Sequence, residues 1–305
     1  MKLYVGVTDS DWFRFLRARG AEEMNFWRPR STTNFGAINP GELFLFKTHY
    51  PENRLVGGAY FVRHTTLPLD LAWEVFKEAN GVESLDAFRK KISSIRGDNE
   101  RNPTIGCTVL TQPFYFANEE FLPAPSDWGR SIVMGKSYDA LSGEGAKIWE
   151  NVKSALLGHT LRDIPIPEQQ NRYGNPQIFM PRLGQGGFRI VVMEGYQRRC
   201  AVTGERTLPV LEAAHIRPYS DDGPHAISNG VFLRSDLHTL FDRGYITISN
   251  DYHVLVSRRI RDEFSNGREY YALDGKELKV TPQSSADRPS SEYLEWHQKN
   301  RFLLQ

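Results

Sequence analysis

Apolar and polar residues alternate over residues 2–7, which predicts a strand. Asp9 or Ser10 then caps a helix over about 11–18, with Trp12, Phe15 and Leu16 on one side and Arg14 and Arg17 on another. Residues 25–28 lead into a polar loop, RPRSTTNFGAINPG. The apolar run 42–47 reads as a buried strand, and after a turn at Pro51-Glu52-Asn53 residues 55–62 read as its return. Helical spacing follows at about 69–78 and 85–95, and 104–116 reads as a strand rejoining the sheet. Residues 117–143 are punctuated by proline and glycine; 144–157 space Ile148, Val152, Ala155 and Leu156 on one helical face. Prolines between 164 and 176 block both helix and central strand, so this stretch reads as a linker.

Beyond it, 188–196 reads as a helix and 211–216 as a short strand ending in His215. The turn formers Tyr219-Ser220-Asp221-Asp222-Gly223-Pro224 make a loop, and Asn229-Gly230 makes a second tight turn before Val231-Phe232-Leu233. Ser235 is placed to cap a helix that carries Asp236 in its first turn and stops at Gly244. A hairpin over 245–249 and 253–257 and a helix over 258–264 come next, and 280–305 read as a peripheral polar tail anchored by Tyr293 and Trp296.

Three of the eight histidines fall between 215 and 238. His238 and Asp242 are four apart on the predicted helix, so both project from one face, and an imidazole with a carboxylate suits Mg²⁺, Mn²⁺ or Zn²⁺. His215 at the strand end has the right chemistry to deprotonate a water beside a bound phosphate. His225 reads as an ordinary loop residue.

Composition bounds the rest. The 305 residues allow two cores, and 40% apolar with 25% charged is ordinary for a globular chain. Net charge is +1, with 20 basic and 21 acidic residues up to 171 and 18 and 16 after it, so nucleic-acid binding would rest on local clusters rather than bulk charge. Cys107 and Cys200 exclude a disulfide framework and suit a reducing cytoplasm. The sequence shows neither a signal-like apolar core nor a membrane-length span, so no membrane partner is expected.

The pattern AAHIRPY…SNG…LRSDLH.LFDRG resembles the ββα-metal, or HNH, endonuclease family. That resemblance implies His215 as general base and Asn229 as the residue pinning the loop that orients it. His238 and Asp242 would hold one divalent metal ion. It departs from the family at Ala214, where relatives place a metal-binding Asp or His; Glu212, or water, would take that place. Only Cys200 lies in the window, so the zinc clips of many relatives are not expected. The Gly-rich turn RLGQG, with Arg182 and Arg189 beside it, recurs before this branch and would offer amides to a DNA phosphate, joined by Arg217 and Arg243.

The run PGELFLFKTHYPENRLVGGAYFVRH, preceded by NFWRPRSTTNF, resembles the EVE branch of the PUA-like superfamily over about residues 1–65. A base flipped from a duplex needs aromatic faces and amide groups in exchange for lost stacking and pairing. Trp27, Asn34 and Phe35 match that need, with Lys47, Thr48 and His49 at the opposite strand end. The expectation is an α+β chain: an EVE/PUA-like β-barrel with helices over 1–142, helix and linker over 143–180, and an HNH nuclease domain with its tail over 181–305. Its expected role is restriction of double-stranded DNA carrying 5-methylcytosine or 5-hydroxymethylcytosine in a prokaryotic cytoplasm. One active site cuts one strand, so a double-strand break implies a homodimer or two separate nicks. Two rivals are an HNH nuclease with an RNA-binding first domain and a non-catalytic DNA-binding protein on a degenerate nuclease fold.

Overall fold

The computed structural model describes residues 1–30, 35–163 and 183–304, with side chains of 157–163 left aside. The chain divides into two compact units, Met1–Arg182 and Leu183–Gln305. Asn34, Arg182 and the expected linker at 164–176 lie outside the described residues.

In the first unit β1 (Lys2–Thr8) leads into α1 (Ser10–Arg19), whose first turn is capped by the Asp9 carboxylate accepting from the amides of Asp11 and Trp12. Then come β2 (Glu23–Arg28), β3 (Leu43–Thr48), β4 (Arg54–Pro68), α2 (Leu69–Phe76) and α3 (Leu85–Arg96). The unit continues with β5 (Thr104–Tyr115), β6 (Leu122–Pro123), β7 (Gly135–Asp139) and α4 (Gly143–Asp163). The sheet runs in the order β2-β5-β4-β3-β1-β7, with β6 added to the start of β4; β1 and β3 are parallel and the other pairs antiparallel. Among the described residues no pairing joins β2 to β7. Register shifts along β4 and at Phe46/Lys47 mark bulges, which bend a strand and increase its twist.

β3 is buried at every position because both faces are covered. Phe44 and Phe46 join Trp12, Phe13 and Leu16 of α1 on one face; Leu43 and Leu45 join Ile148 and Val152 of α4 on the other. Each fully buried Phe or Leu contributes about 1.5–3 kcal/mol relative to exposure. α4 is therefore part of this unit's core rather than a separate connecting segment. Three strands go beyond the sequence pattern: β2, which reads there as the entry to a loop, the two-residue β6, and β7, where Tyr138 is the one buried residue of five.

The second unit opens with α5 (Gln185–Gly195). The antiparallel pair β8 (Leu211–His215) and β9 (Gly230–Arg234) follows, then α6 (Ser235–Asp242). The order strand, loop, strand, helix is as expected. The helix cap is not: Arg234 occupies the cap position, and its guanidinium holds the Asp236 carboxylate through two contacts of 2.7 Å, while Ser235 makes no capping bond. The hairpin β10 (Ile246–Ile248) and β11 (Val254–Val256), α7 (Arg259–Phe264), α8 (Arg268–Tyr271) and α9 (Ser291–Asn300) complete the unit. The C-terminal stretch is no peripheral tail. Leu294 and His297 of α9 are buried, and His297 bonds the Thr247 hydroxyl at 2.8 Å and the Phe241 carbonyl at 3.1 Å. Among the described residues no helix is long and apolar enough to cross a membrane.

Candidate active site

Strand pairing brings His215 opposite Gly230, where β8 ends, and the Ile216 amide donates to the Asn229 carbonyl at 3.0 Å. Asn229 is fully buried. Its Oδ1 accepts from the Arg217 amide, and its Nδ2 donates to the carbonyls of Arg217 and Pro224, each at 2.9 Å. One side chain thus ties together the two ends of the 217–224 loop. A Cβ on Gly223 would fall 1.8 Å from the Arg217 carbonyl, so the loop closes only around glycine. Gly230 has a parallel role, since a Cβ there would fall 2.4 Å from Val192 and 3.1 Å from Phe188. That close approach lets α5 lie on the hairpin and place Phe188 flat on the His215 ring, 3.8 Å between centroids and 13° between planes.

His215 Nε2 lies 2.9 Å from His225 Nδ1, and Tyr219 stacks on His225 at 5.1 Å and 13°. Burial, with the neighbouring charges of His225 and His238, pulls the His215 pKa down to about 4. The ring is therefore neutral at physiological pH, the form a general base starts from. No sequence motif points to His225, Tyr219 or Phe188, because nothing local in a polar loop says which ring it will meet.

On α6, His238 and Asp242 share a face as their spacing demands, with Nε2 and Oδ2 3.3 Å apart. The opposite nitrogen, Nδ1, is 2.5 Å from Glu212 Oε2. Glu212, expected with water as the alternative at the position lost to Ala214, stands on the far side of the imidazole, and Ala214 is buried. A carboxylate on Nδ1–H fixes the tautomer that leaves Nε2 free for a metal. Among the described residues no group of three His, Cys, Asp or Glu side chains is arranged to hold a metal ion. The donors aimed together are the Nε2 of His238 and the carboxylate of Asp242. That pair fits a divalent ion that keeps open positions for water and phosphate.

The described arginines expected at phosphates differ in their surroundings. Arg217 donates through Nε to the Asp221 carbonyl at 2.5 Å and lies 5.8 Å from the Trp296 ring. Arg243 is exposed just beyond α6, and Arg189 lies in α5.

Among the described residues, those expected to form a base pocket do not all converge. Met24 and Phe26 of β2 are buried in the α1-side cluster, and Trp27 is packed at its margin. Its indole donates to the Asn80 carbonyl at 2.8 Å and its ring packs against Phe88. Phe35 lies in the α1-side cluster against Tyr4, Phe44 and Phe61. Thr48 is buried and bonds the backbone of Arg54. Of the group, Lys47 and His49 reach an open space, a cavity of about 700 Å³ shared with Tyr50, Trp128 and Arg130. Lys47 is 3% exposed; its ammonium donates to the Thr48 carbonyl and lies 5.0 Å from the Trp128 ring.

Strand, pinned loop, strand and helix, with a neutral imidazole at the strand end and a His–Asp pair on the helix, define the core of a ββα-metal nuclease. Residues 200–249 match the HNH endonuclease family. The chain carries an HNH endonuclease domain and is a hydrolytic nuclease; HNH endonucleases generally use a divalent metal ion. Among solved structures, the chain is similar to the ASCH protein of Zymomonas mobilis (11% identity, 48% of this chain and 94% of that one, TM-score 0.33). A point mutant of that protein gives 12% identity over 50% and 99%, with TM-score 0.33. A modification-dependent TagI restriction endonuclease is also similar, at 14% identity over 92% of this chain and 75% of that one, with TM-score 0.27. No curated protein matches.

Proposed function

We propose that this chain is a modification-dependent DNA endonuclease. In this reading the first unit takes a methylated or hydroxymethylated cytosine flipped from the duplex, and the HNH unit hydrolyses a phosphodiester. The observation that carries the nuclease half is the neutral His215 ring, set in the same small module as the His238–Asp242 pair. His215 takes a proton from water as the water oxygen bonds phosphorus and the bond to the 3′ oxygen breaks. Asn229 keeps His215 on target through the loop, and Glu212 keeps Nε2 of His238 turned outward. His238 and Asp242 would hold one Mg²⁺, Mn²⁺ or Zn²⁺ ion, which when bound polarises the phosphate and stabilises the leaving oxygen. Arg189, Arg217 and Arg243 would meet the DNA backbone.

The reading half rests on the cavity at Lys47, His49, Trp128 and Arg130. It offers an aromatic face to a base and cationic groups to its phosphates, the combination a flipped nucleotide needs to offset a few kcal/mol of lost stacking and pairing. A nuclease with little sequence preference of its own needs such a reader, and a double-strand break would need two copies of the chain or two separate nicks.

The test is cleavage of one plasmid in unmodified, 5-methylcytosine and 5-hydroxymethylcytosine forms with Mg²⁺ or Mn²⁺. Preference for a modified form is expected; equal cutting of all three would discard the reader and leave the nuclease. Nicking should be lost in His215→Ala and on chelation of the metal, and a fully active His215→Ala would overturn the site assignment.

A further inference from the structure

The imidazole of His215 makes one hydrogen bond among the described residues, and its partner is another imidazole: Nε2 to Nδ1 of His225 at 2.9 Å. Two neutral rings at that distance share a single proton, because two lone pairs or two N–H groups facing each other would repel. Only two arrangements satisfy this. If His225 donates, Nε2 of His215 is used as an acceptor and Nδ1 of the same ring carries its proton, so no basic nitrogen is left. If His215 donates its Nε2–H, its Nδ1 lone pair is free. Only the second arrangement lets His215 act as a base.

We propose that His225 is the positioning residue of this nuclease: its Nδ1 accepts the Nε2–H of His215 and so fixes the tautomer whose Nδ1 takes the proton from water. The inference rests on the reading of His215 as general base. When that proton arrives, His215 becomes an imidazolium, and its Nε2–H bond to His225 turns into a charge-assisted one that spreads the new positive charge over two rings. The water oxygen meanwhile bonds phosphorus, and the departing 3′ oxygen is protonated by solvent.

The surroundings of His225 are built for this contact. Tyr219 is 71% exposed, yet its ring lies parallel to His225 at 5.1 Å. Phe188 holds His215 in the same way at 3.8 Å. The two imidazoles therefore meet edge to face, at 4.9 Å and 64°, with each clamped by its own aromatic plate. Asn229 Nδ2 donates to the carbonyl of Pro224, directly before His225, so the residue that pins one ring's strand end also pins the other's loop.

The experiment has two arms on the full chain. In the metal-free ¹⁵N-labelled protein, long-range imidazole spectra should show His215 protonated at Nε2 and bare at Nδ1. Finding it protonated at Nδ1 overturns the proposal. In plasmid nicking with Mg²⁺, His225→Ala should lower kcat roughly tenfold to a hundredfold with little change in KM, the usual effect of losing a ring's orienting partner. His225→Asn, whose Oδ1 stands where Nδ1 stood as acceptor, should restore most of kcat and keep the Nε2–H tautomer. Equal losses in both variants, with the tautomer of His215 unchanged, would make His225 merely structural. Full nicking by His215→Ala would instead remove the base assignment, whatever the spectra show.

Discussion

At the scale of single residues, the site depends on groups that make several bonds at once. Asn229, itself fully buried, makes three, and no smaller side chain replaces them. Asn229→Ala should cost about 2–4 kcal/mol in chemical denaturation, since it leaves one amide and two carbonyls short of a partner. Asn229→Asp should be no better, because it keeps the acceptor for the Arg217 amide but turns its other oxygen toward two carbonyls. Either variant should lower nicking at least as steeply as stability, since the loop it frees carries His225 and follows His215. Glu212 acts on the metal side. Its carboxylate on His238 Nδ1 predicts that Glu212→Ala weakens Mn²⁺ binding about 10–100-fold by calorimetry without abolishing it, whereas Asp242→Ala, removing a donor, should weaken it further. Equal effects would mean that Glu212 is itself a ligand.

At the scale of elements, α9 decides how the second unit responds to acid. His297 is 1% exposed, stacks on Phe241 at 3.8 Å, donates from Nε2 to the Phe241 carbonyl and accepts at Nδ1 from Thr247. Burial pulls its pKa to about 4, against an ordinary 6.5. A depressed histidine pKa means that the unfolded chain binds more protons between those values, so stability is fully present above about pH 6.5 and is lost as pH falls toward 4. His297 alone accounts for on the order of 3 kcal/mol of that loss, and His215 adds to it in the same window. Melting followed from pH 7 to 4.5 should show a steep fall, flattened in His297→Gln; a profile unchanged by that substitution would count against α9 as the acid-sensitive element. The sequence hides α9 because only Leu294 and His297 of its ten residues are buried, too few to make a periodic stripe. β7 is hidden likewise behind glycine, lysine and serine. The nuclease core is legible for the opposite reason: its spacing of four between His238 and Asp242 and its short apolar strands are local. Asn229-Gly230, however, is no tight turn, since Asn229 closes a single turn over Ile227–Asn229 and Gly230 opens β9 in extended conformation. The His215–His225 contact and the packing of Trp27 depend on how a loop closes and what a strand meets, and no local pattern carries those.

At the scale of the molecule, the proposed function gives reading and cutting to different units, and that division makes a prediction of its own. Lys47 and Trp128 belong to the first unit, His215 and His238 to the second. A substitution in the cavity should therefore change which DNA is cut without touching how a phosphodiester is hydrolysed. Trp128→Ala removes the aromatic face, worth about 1–3 kcal/mol per stacked base, or roughly five- to more than a hundredfold in affinity. Lys47→Met removes a cation that burial already pushes below its ordinary pKa and whose partners among the described residues are the Thr48 carbonyl and the Trp128 ring. That variant should fold at least as stably as the parent, because a buried ammonium without a carboxylate partner among those residues is exchanged for an apolar side chain of similar length. Both variants should lose kcat/KM on modified plasmid while keeping the slow nicking of unmodified plasmid in Mn²⁺ at the parent rate. A parallel fall on both plasmids would mean that the cavity serves general DNA binding, and preference for modified DNA would then have to come from elsewhere in the chain.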